Sequence, residues 1–104
     1  MSAMPNLFIV YWRDIPAQII VGKGRRAAKI ELPDRFQQAI DACAMRVGAK
    51  DTDAYLAEWR KSEPVTVAGD PEQIARDEAE RIEREFSRGR LRALVTGGGK
   101  EVEA

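Results

Sequence analysis

Two apolar runs open the chain and predict a β-hairpin between residues 6 and 22. Residues 7 to 12 are all apolar or aromatic, which is typical of a strand that is central in its sheet or covered on both faces. The strand signal resumes over residues 17 to 21. Between the two runs, Pro16 cannot donate to a strand ladder, so residues 13 to 16 are predicted to form a four-residue turn.

A third strand and a possible fourth follow the hairpin. Residues 28 to 32 alternate apolar and charged side chains, the period of a half-buried strand. The glycines within residues 22 to 26 predict a turn before it, so the first third of the chain is a three-stranded antiparallel meander. Residues 65 to 67 could add a short strand at an edge, where Pro64 would block further pairing.

The hydrophobic period changes to 3.6 after the third strand and predicts three helices. A continuous apolar stripe marks the first helix, and Gly48 follows it as a stop. Asp51 or Thr52 can cap a second, shorter helix, and Asp70 followed by Pro71 is a strong start for a third. The predicted helices cover residues 34–47, 52–61 and 71–88. Packed on the meander, they give an α+β fold.

The third predicted helix carries a charged outer face. Three of its acids each precede a base by four residues, the favourable order for helix pairs, worth about 0.2–0.5 kcal/mol each. These pairs are Glu72/Arg76, Asp77/Arg81 and Glu80/Arg84. The pattern predicts that this face is exposed to water.

Composition fits one small domain in a reducing compartment. A chain of 104 residues can bury a single core without disulfides or metals. We expect a flexible N-terminus over residues 1–5, one domain over 6–95 and a disordered tail over 96–104. No apolar run approaches the roughly 20 residues of a membrane span, and the N-terminus lacks the pattern of a signal peptide. With a single cysteine, the chain is expected to be cytoplasmic and to have no membrane partner.

The residue inventory excludes several kinds of chemistry. The chain has no histidine, so it cannot build a Ser-His-Asp triad or a Cys-His pair, and a zinc site from one thiol and carboxylates would be atypical. Cys43 lies on the apolar stripe of the first helix, which predicts a buried, inert thiol. The sequence therefore indicates no catalytic residue, no metal site and no cofactor. An enzyme would need a pocket of convergent carboxylates or arginines, which the sequence does not reveal.

Basic and aromatic residues near the hairpin are the candidates for binding. Residues 13 to 29 contain five basic side chains and a single acidic one. The Gly-Lys-Gly turn in this stretch could form an anion-binding nest. The alternative is a solvated turn, because no phosphate-binding motif flanks it. Tryptophan and arginine dominate interface hot spots, although such tryptophans also pack in cores. The candidate binding residues are Trp12, Arg13, Asp14, Lys23, Arg25, Arg26 and Trp59.

Three stretches resemble a known family. They are Ile9-Val-Tyr-Trp-Arg-Asp-Ile-Pro-Ala-Gln18, the Gly-Arg-Arg-Ala run at 24 to 27, and Asp34-Arg-Phe-Gln-Gln-Ala-Ile-Asp41. Over about residues 7 to 60 the chain resembles the small bacterial virulence factor domains, which are similar to the terminal domain of the longer conserved virulence factor C. The resemblance supplies no catalytic residues. It implies an accessory role beside folate- and corrinoid-dependent methyl-transfer enzymes.

The leading hypothesis is a non-catalytic accessory protein that binds another protein, of unknown identity, through the basic hairpin end. The alternative is nucleic-acid or phosphate-ligand binding at the same end. A sequence pI near 6.3 and the acid-rich third helix disfavour nucleic acid.

Overall fold

The computed structural model describes residues 5–22, 24–49 and 51–100. Its architecture is α+β, as the sequence predicts. In chain order the strands and helices are β1 (Asn6–Trp12), β2 (Ile15–Val21), β3 (Ala28–Glu31), α1 (Asp34–Val47), α2 (Thr52–Ala57), β4 (Trp59–Lys61), β5 (Val65–Thr66), α3 (Pro71–Glu85) and α4 (Arg88–Thr96). None of the described helices is long and apolar enough to cross a lipid bilayer.

The strands form one antiparallel sheet around β1. The order is β3-β2-β1-β4, and β5 pairs with the same edge of the sheet through β1. The predicted meander and edge strand are therefore confirmed, and the continuous apolar run of β1 is explained by its central position. The sheet also contains β4, which the sequence does not predict.

One face of the sheet is buried beneath α3. Leu7 pairs with Val21 and Ile9 with Ile19, and all four are buried on the face that α3 covers. The ladder shifts register after Val10, where β2 carries one extra residue. This bulge lies at the hairpin end of the sheet, where it bends the strand.

The second layer of the core lies between α1 and α4, which pack against each other. The apolar stripe of α1 is buried as predicted, and Gly48 ends the helix in the left-handed conformation with φ 78°. The Phe36 ring of α1 contacts the Phe86 ring, which follows α3, with ring centroids 6.2 Å apart. This aromatic contact joins the two layers.

The turn of the hairpin is shorter than predicted. Only Arg13 and Asp14 connect the strands, because Trp12 pairs directly with Ile15. Pro16 is buried inside β2, next to the register shift, and a bulge is one of the few places in a sheet where proline is found.

The predicted helix over residues 52–61 is wrong in its second half. Helix α2 ends at Ala57, and Trp59–Lys61 forms β4 along β1. The N–H and C=O groups along an unpaired strand edge are a template for pairing, and residues 59 to 61 pair there with Trp12, Tyr11 and Val10. Tertiary pairing therefore overrides the local helix signal.

The chain after residue 85 also departs from the prediction. Helix α3 ends at Glu85, and Ser87 caps a separate α4 by accepting a hydrogen bond from the Arg90 N–H at 3.2 Å. Residues 97 to 99 then close α4 with hydrogen bonds back to its last turn. The predicted tail over residues 96–104 therefore begins at the last residue of α4, and its disorder stays a prediction. Residues 101 to 104 lie outside the described residues.

Candidate functional site

The hairpin turn, Arg13 and Asp14, is held from both sides by backbone hydrogen bonds. Arg13 has a positive φ of 55°, which is uncommon outside glycine. Its N–H donates to the Glu58 carbonyl at 3.1 Å, and the Asp14 N–H donates to the Gly99 carbonyl at 2.8 Å. The turn therefore joins the end of α2 to the segment after α4.

The Arg13 side chain ties the same two segments together. Its Nη2 forms an ion pair with the Glu58 carboxylate at 2.8 Å, and its Nη1 donates to the Gly98 carbonyl at 2.7 Å. The side chain is only 21% exposed, and its buried Nε has no acceptor among the described residues. Arg13 therefore acts as an internal clamp.

Gly99 makes this clamp possible. It is buried with a φ of 84°, and a Cβ there would lie 2.9 Å from the Arg13 Cδ and 3.1 Å from the Cys43 sulfur. Only glycine fits such a close approach without a shift. The Cys43 thiol is buried directly beneath, as predicted.

Both tryptophans lie at this end of the sheet, but they differ in exposure. Trp12 is fully buried, its indole N–H donates to the Tyr55 carbonyl at 2.9 Å, and its ring contacts the Tyr55 ring. Trp59 is half-buried and packs edge-on against Tyr55, with centroids 6.0 Å apart. Trp12 therefore supports the turn from within, while part of Trp59 faces solvent.

The other predicted bases lie elsewhere. Arg25 and Arg26 are exposed in a short 3₁₀ turn after β2, at the far end of that strand from Arg13. Seven strand residues span about 20 Å. Lys23 lies outside the described residues. The structure thus brings together Trp12, Arg13, Asp14 and Trp59 but separates them from Arg25 and Arg26.

Beside the turn, on the face of the sheet that α3 covers, lies an open pocket that the sequence does not predict. We call it the arginine pocket. Its volume is about 460 Å³. Its lining includes Tyr11, Asp14, Arg60, Glu63, Arg81, Glu85, Phe86 and Arg90. Three arginines and three carboxylates therefore converge on one site, as an enzyme would require, but two of the carboxylates, Asp14 and Glu85, are paired with Arg60 and Arg81.

Two of these arginines stack on aromatic rings. The Arg60 guanidinium lies 4.5 Å from the Tyr11 ring centroid, and the Arg90 guanidinium lies 4.0 Å from that of Phe86. Arg60 also donates through Nε to the Arg13 carbonyl at 2.9 Å and through Nη2 to Asp14 at 3.1 Å. The site is thus fastened to the hairpin turn.

Ionisation in the arginine pocket follows from these contacts. A tyrosine phenol is protonated at neutral pH in any case, and burial raises the pKa of Tyr11 above its ordinary value. Arg81 forms ion pairs with Glu78 at 2.6 Å and Glu85 at 2.9 Å, and the hydrogen bonds that it donates to the Glu78 carboxylate raise the pKa of its guanidinium. The i, i+4 spacing predicts Asp77 as the partner of Arg81, whereas the structure pairs it with Glu78 and Glu85.

The sequence misses this pocket for an identifiable reason. Arg60 lies opposite Tyr11 only because residues 59 to 61 form a strand, and the sequence assigns them to a helix. Arg81 belongs to a face predicted to meet only water. The tryptophan followed by two bases at residues 59 to 61 is the one local signal that could have indicated it.

Comparison with protein families supplies the identification. The family model described as virulence factor matches residues 10–95. The protein belongs to the virulence factor family. The match confirms the resemblance of the hairpin and extends it through α3 and α4, so the arginine pocket lies within the family domain. No curated protein and no solved structure matches the chain.

Proposed function

We propose that this virulence factor domain is a non-catalytic interaction protein of the cytoplasm, and that a partner protein docks on the arginine pocket. The observation that carries the proposal is the pair of guanidinium groups stacked on aromatic rings, Arg60 on Tyr11 and Arg90 on Phe86. Stacked arginines are held in place before binding, so they lose little conformational entropy when a partner arrives.

Arg60 has hydrogen-bonding capacity to spare. A guanidinium has five N–H donors, and Arg60 uses its Nε and one N–H of Nη2 within the described structure. Its side chain is 49% exposed. The remaining donors, with the protonated Tyr11 phenol beside them, suit backbone carbonyls or carboxylates of a protein segment. Tyrosine and arginine are also the residue types that dominate interface hot spots.

The charges of the pocket favour protein over nucleic acid. Glu63 and Glu85 line the same pocket as the arginines, and these carboxylates would repel a phosphate backbone. The alternative function is phosphate or nucleic-acid binding at the basic hairpin end. Arg13 is paired with Glu58, so Arg25 and Arg26 are the exposed arginines that could serve it. Phosphate or nucleic-acid binding there stays a prediction. The first partners to test are the folate- and corrinoid-dependent methyl-transfer enzymes that the family resemblance implies.

Site-specific photo-crosslinking tests the proposal. A photoreactive amino acid in place of Glu63, which is exposed at the pocket rim, should capture a protein partner in the native host. The matched control places the same amino acid at Arg25, which is exposed at the far end of β2. We expect a defined crosslinked species from position 63 and none from position 25.

A point variant then links the crosslink to the stacked arginine. Arg60→Gln should weaken binding of the captured partner by about tenfold or more, the scale of a hot-spot residue, whereas Arg25→Gln should leave binding unchanged. Circular dichroism checks that both variants are folded. If position 63 captures nothing, or if Arg60→Gln binds the partner as tightly as the natural chain does, the proposal is wrong.

A further inference from the structure

A second, smaller pocket lies on the opposite face of the sheet, between β1, β2 and the start of α1. Its volume is about 250 Å³. Val10 and Trp59 line it from the sheet, and Leu32 lines it from the connection to α1. Tyr11 and Arg60, the neighbours of Val10 and Trp59, line the arginine pocket instead, because adjacent strand residues point to opposite faces. The two pockets are therefore separate sites.

The charged side chains that line this pocket are acidic. Glu31 and Asp34 both line it, both are exposed, and neither forms an ion pair or a side-chain hydrogen bond with another described residue. Arg35, next to Asp34 in sequence, is directed away: it donates to the Glu83 carbonyl at 2.9 Å and lies over the Phe36 ring. Lys29 and Lys61 share this face of the sheet with Glu31 and Val10, but neither lines the pocket, and the Lys61 ammonium lies over the Phe8 ring. The charged groups of the lining itself are therefore both negative.

The uncharged walls suit a cation on an apolar stem. Trp59 presents a half-buried ring whose orientation is fixed by the edge-on contact with Tyr55, and tryptophan is the best aromatic partner for a cation. Val10 and Leu32 supply apolar surface beside it. Gln18 adds a half-buried side-chain amide that has no partner among the described residues.

We infer that this cation pocket binds a guanidinium or ammonium group carried on an aliphatic stem. The carboxylates of Glu31 and Asp34 accept its N–H donors, the Trp59 ring lies beside its charge, and Val10 and Leu32 contact its stem. The volume is below the roughly 300–1,000 Å³ of pockets for drug-sized ligands, so one basic side chain or a small amine fits. The inference does not depend on the proposed function, since it uses the other face of the sheet.

Nuclear magnetic resonance provides a test with an internal control. The chain has two tryptophans, so ¹⁵N-labelled protein gives two indole N–H signals, and Trp12 is fully buried. N-acetyl-arginine methylamide is the probe, titrated at low salt because screening weakens exposed charges. We expect saturable shifts of the Trp59 indole and the Gln18 side-chain amide, with the Trp12 indole unmoved.

Variants and an uncharged probe decide the outcome. Glu31→Gln alone should weaken the probe's binding by about tenfold, the scale of a charge-assisted hydrogen bond, and Glu31→Gln with Asp34→Asn should abolish saturation. Glu63→Gln, at the other pocket, is the matched control and should bind as the natural chain does. Equal shifts with N-acetyl-citrulline methylamide, which is neutral, or unchanged binding by the double variant would overturn the inference.

Butylguanidinium identifies the source of the cation. If the arginine amide binds at least as tightly as butylguanidinium, the pocket accepts a basic side chain within a protein. If butylguanidinium alone gives saturable shifts, the pocket takes a small free cation. Absence of saturable shifts with both probes would contradict the inference in either form.

Discussion

The two ends of β2 both carry a turn with arginine, yet the structure uses them in opposite ways. At the hairpin turn, Arg13 is mostly buried and binds Glu58 and the carbonyl of Gly98. At the turn after β2, Arg25 is exposed and forms no side-chain hydrogen bond, ion pair or ring contact with another described residue. Nearness in sequence therefore does not make these bases one surface. The role of each arginine depends on the segment that packs against it.

The largest expected effect comes from comparing two glycines: Gly99, which packs on the hairpin turn, and Gly24, which lies in the turn after β2. Gly99→Ala would place a Cβ 2.9 Å from the Arg13 Cδ at a φ of 84°, so we expect it to lower the free energy of unfolding by about 2–4 kcal/mol through overpacking and backbone strain. Gly24 also has a positive φ, but a Cβ there meets open space. Gly24→Ala should cost only about 1 kcal/mol, the strain of a side chain in the left-handed region. Urea unfolding curves measure both.

Equal effects of the two glycine substitutions would contradict this prediction. If Gly99→Ala and Gly24→Ala lower stability equally, the segment after α4 does not pack on the hairpin turn. A change in the urea dependence of Gly99→Ala without a change at Gly24 would instead show that this segment had separated from the folded state.

The arginines themselves give the next largest effect. Arg13→Ala removes two charge-assisted hydrogen bonds and leaves the Glu58 carboxylate, 33% exposed, without its partner. Because both groups are partly solvated, we expect a loss of about 1–3 kcal/mol rather than the larger cost of a buried pair. Arg25→Ala should change stability by less than about 0.5 kcal/mol. Thermal unfolding of both variants provides the measurement.

Equal stability of Arg13→Ala and Arg25→Ala would show that Arg13 is as free as Arg25. In that case Arg13 would be available to a partner, and the hairpin turn itself would return as a contact surface. A double-mutant cycle between Arg13 and Glu58 isolates the pair and distinguishes a lost ion pair from lost packing.

The sequence predicts the fold well where periodicity is local. The stripe from Phe36 to Val47, the Asp70-Pro71 helix start and the apolar run of β1 each determine their own element, and the structure agrees. The prediction from sequence fails where an element depends on a contact with a residue far away in the chain. Trp59 is in a strand only because Trp12 offers it a ladder.

The candidate site is less predictable for the same reason. Arg60 stacks on Tyr11, a contact between residues far apart in the chain. The glycines after α4 suggest disorder by composition, yet Gly99 is buried, and the Arg13 side chain and the Cys43 sulfur leave no room for a Cβ there. Contacts between distant parts of one chain leave no periodic signal in the sequence.

The smallest expected effect concerns pH and reports on the packing beneath the hairpin turn. Burial raises the pKa of the Cys43 thiol, so the folded state keeps this proton to a higher pH than the unfolded state does. The stabilising difference is full below the unfolded thiol pKa, about 8.5, and is lost as the pH rises toward the folded value. Between pH 7 and 10 the natural chain should therefore lose more stability than Cys43→Ala, as measured by urea unfolding at each pH.

The nearby guanidinium of Arg13 lowers the same pKa, so Arg13→Ala should steepen the loss while Arg25→Ala leaves it unchanged. Parallel pH profiles for the natural chain and Cys43→Ala would mean that solvent reaches the thiol, and the hairpin turn would then be as open as the turn that carries Arg25.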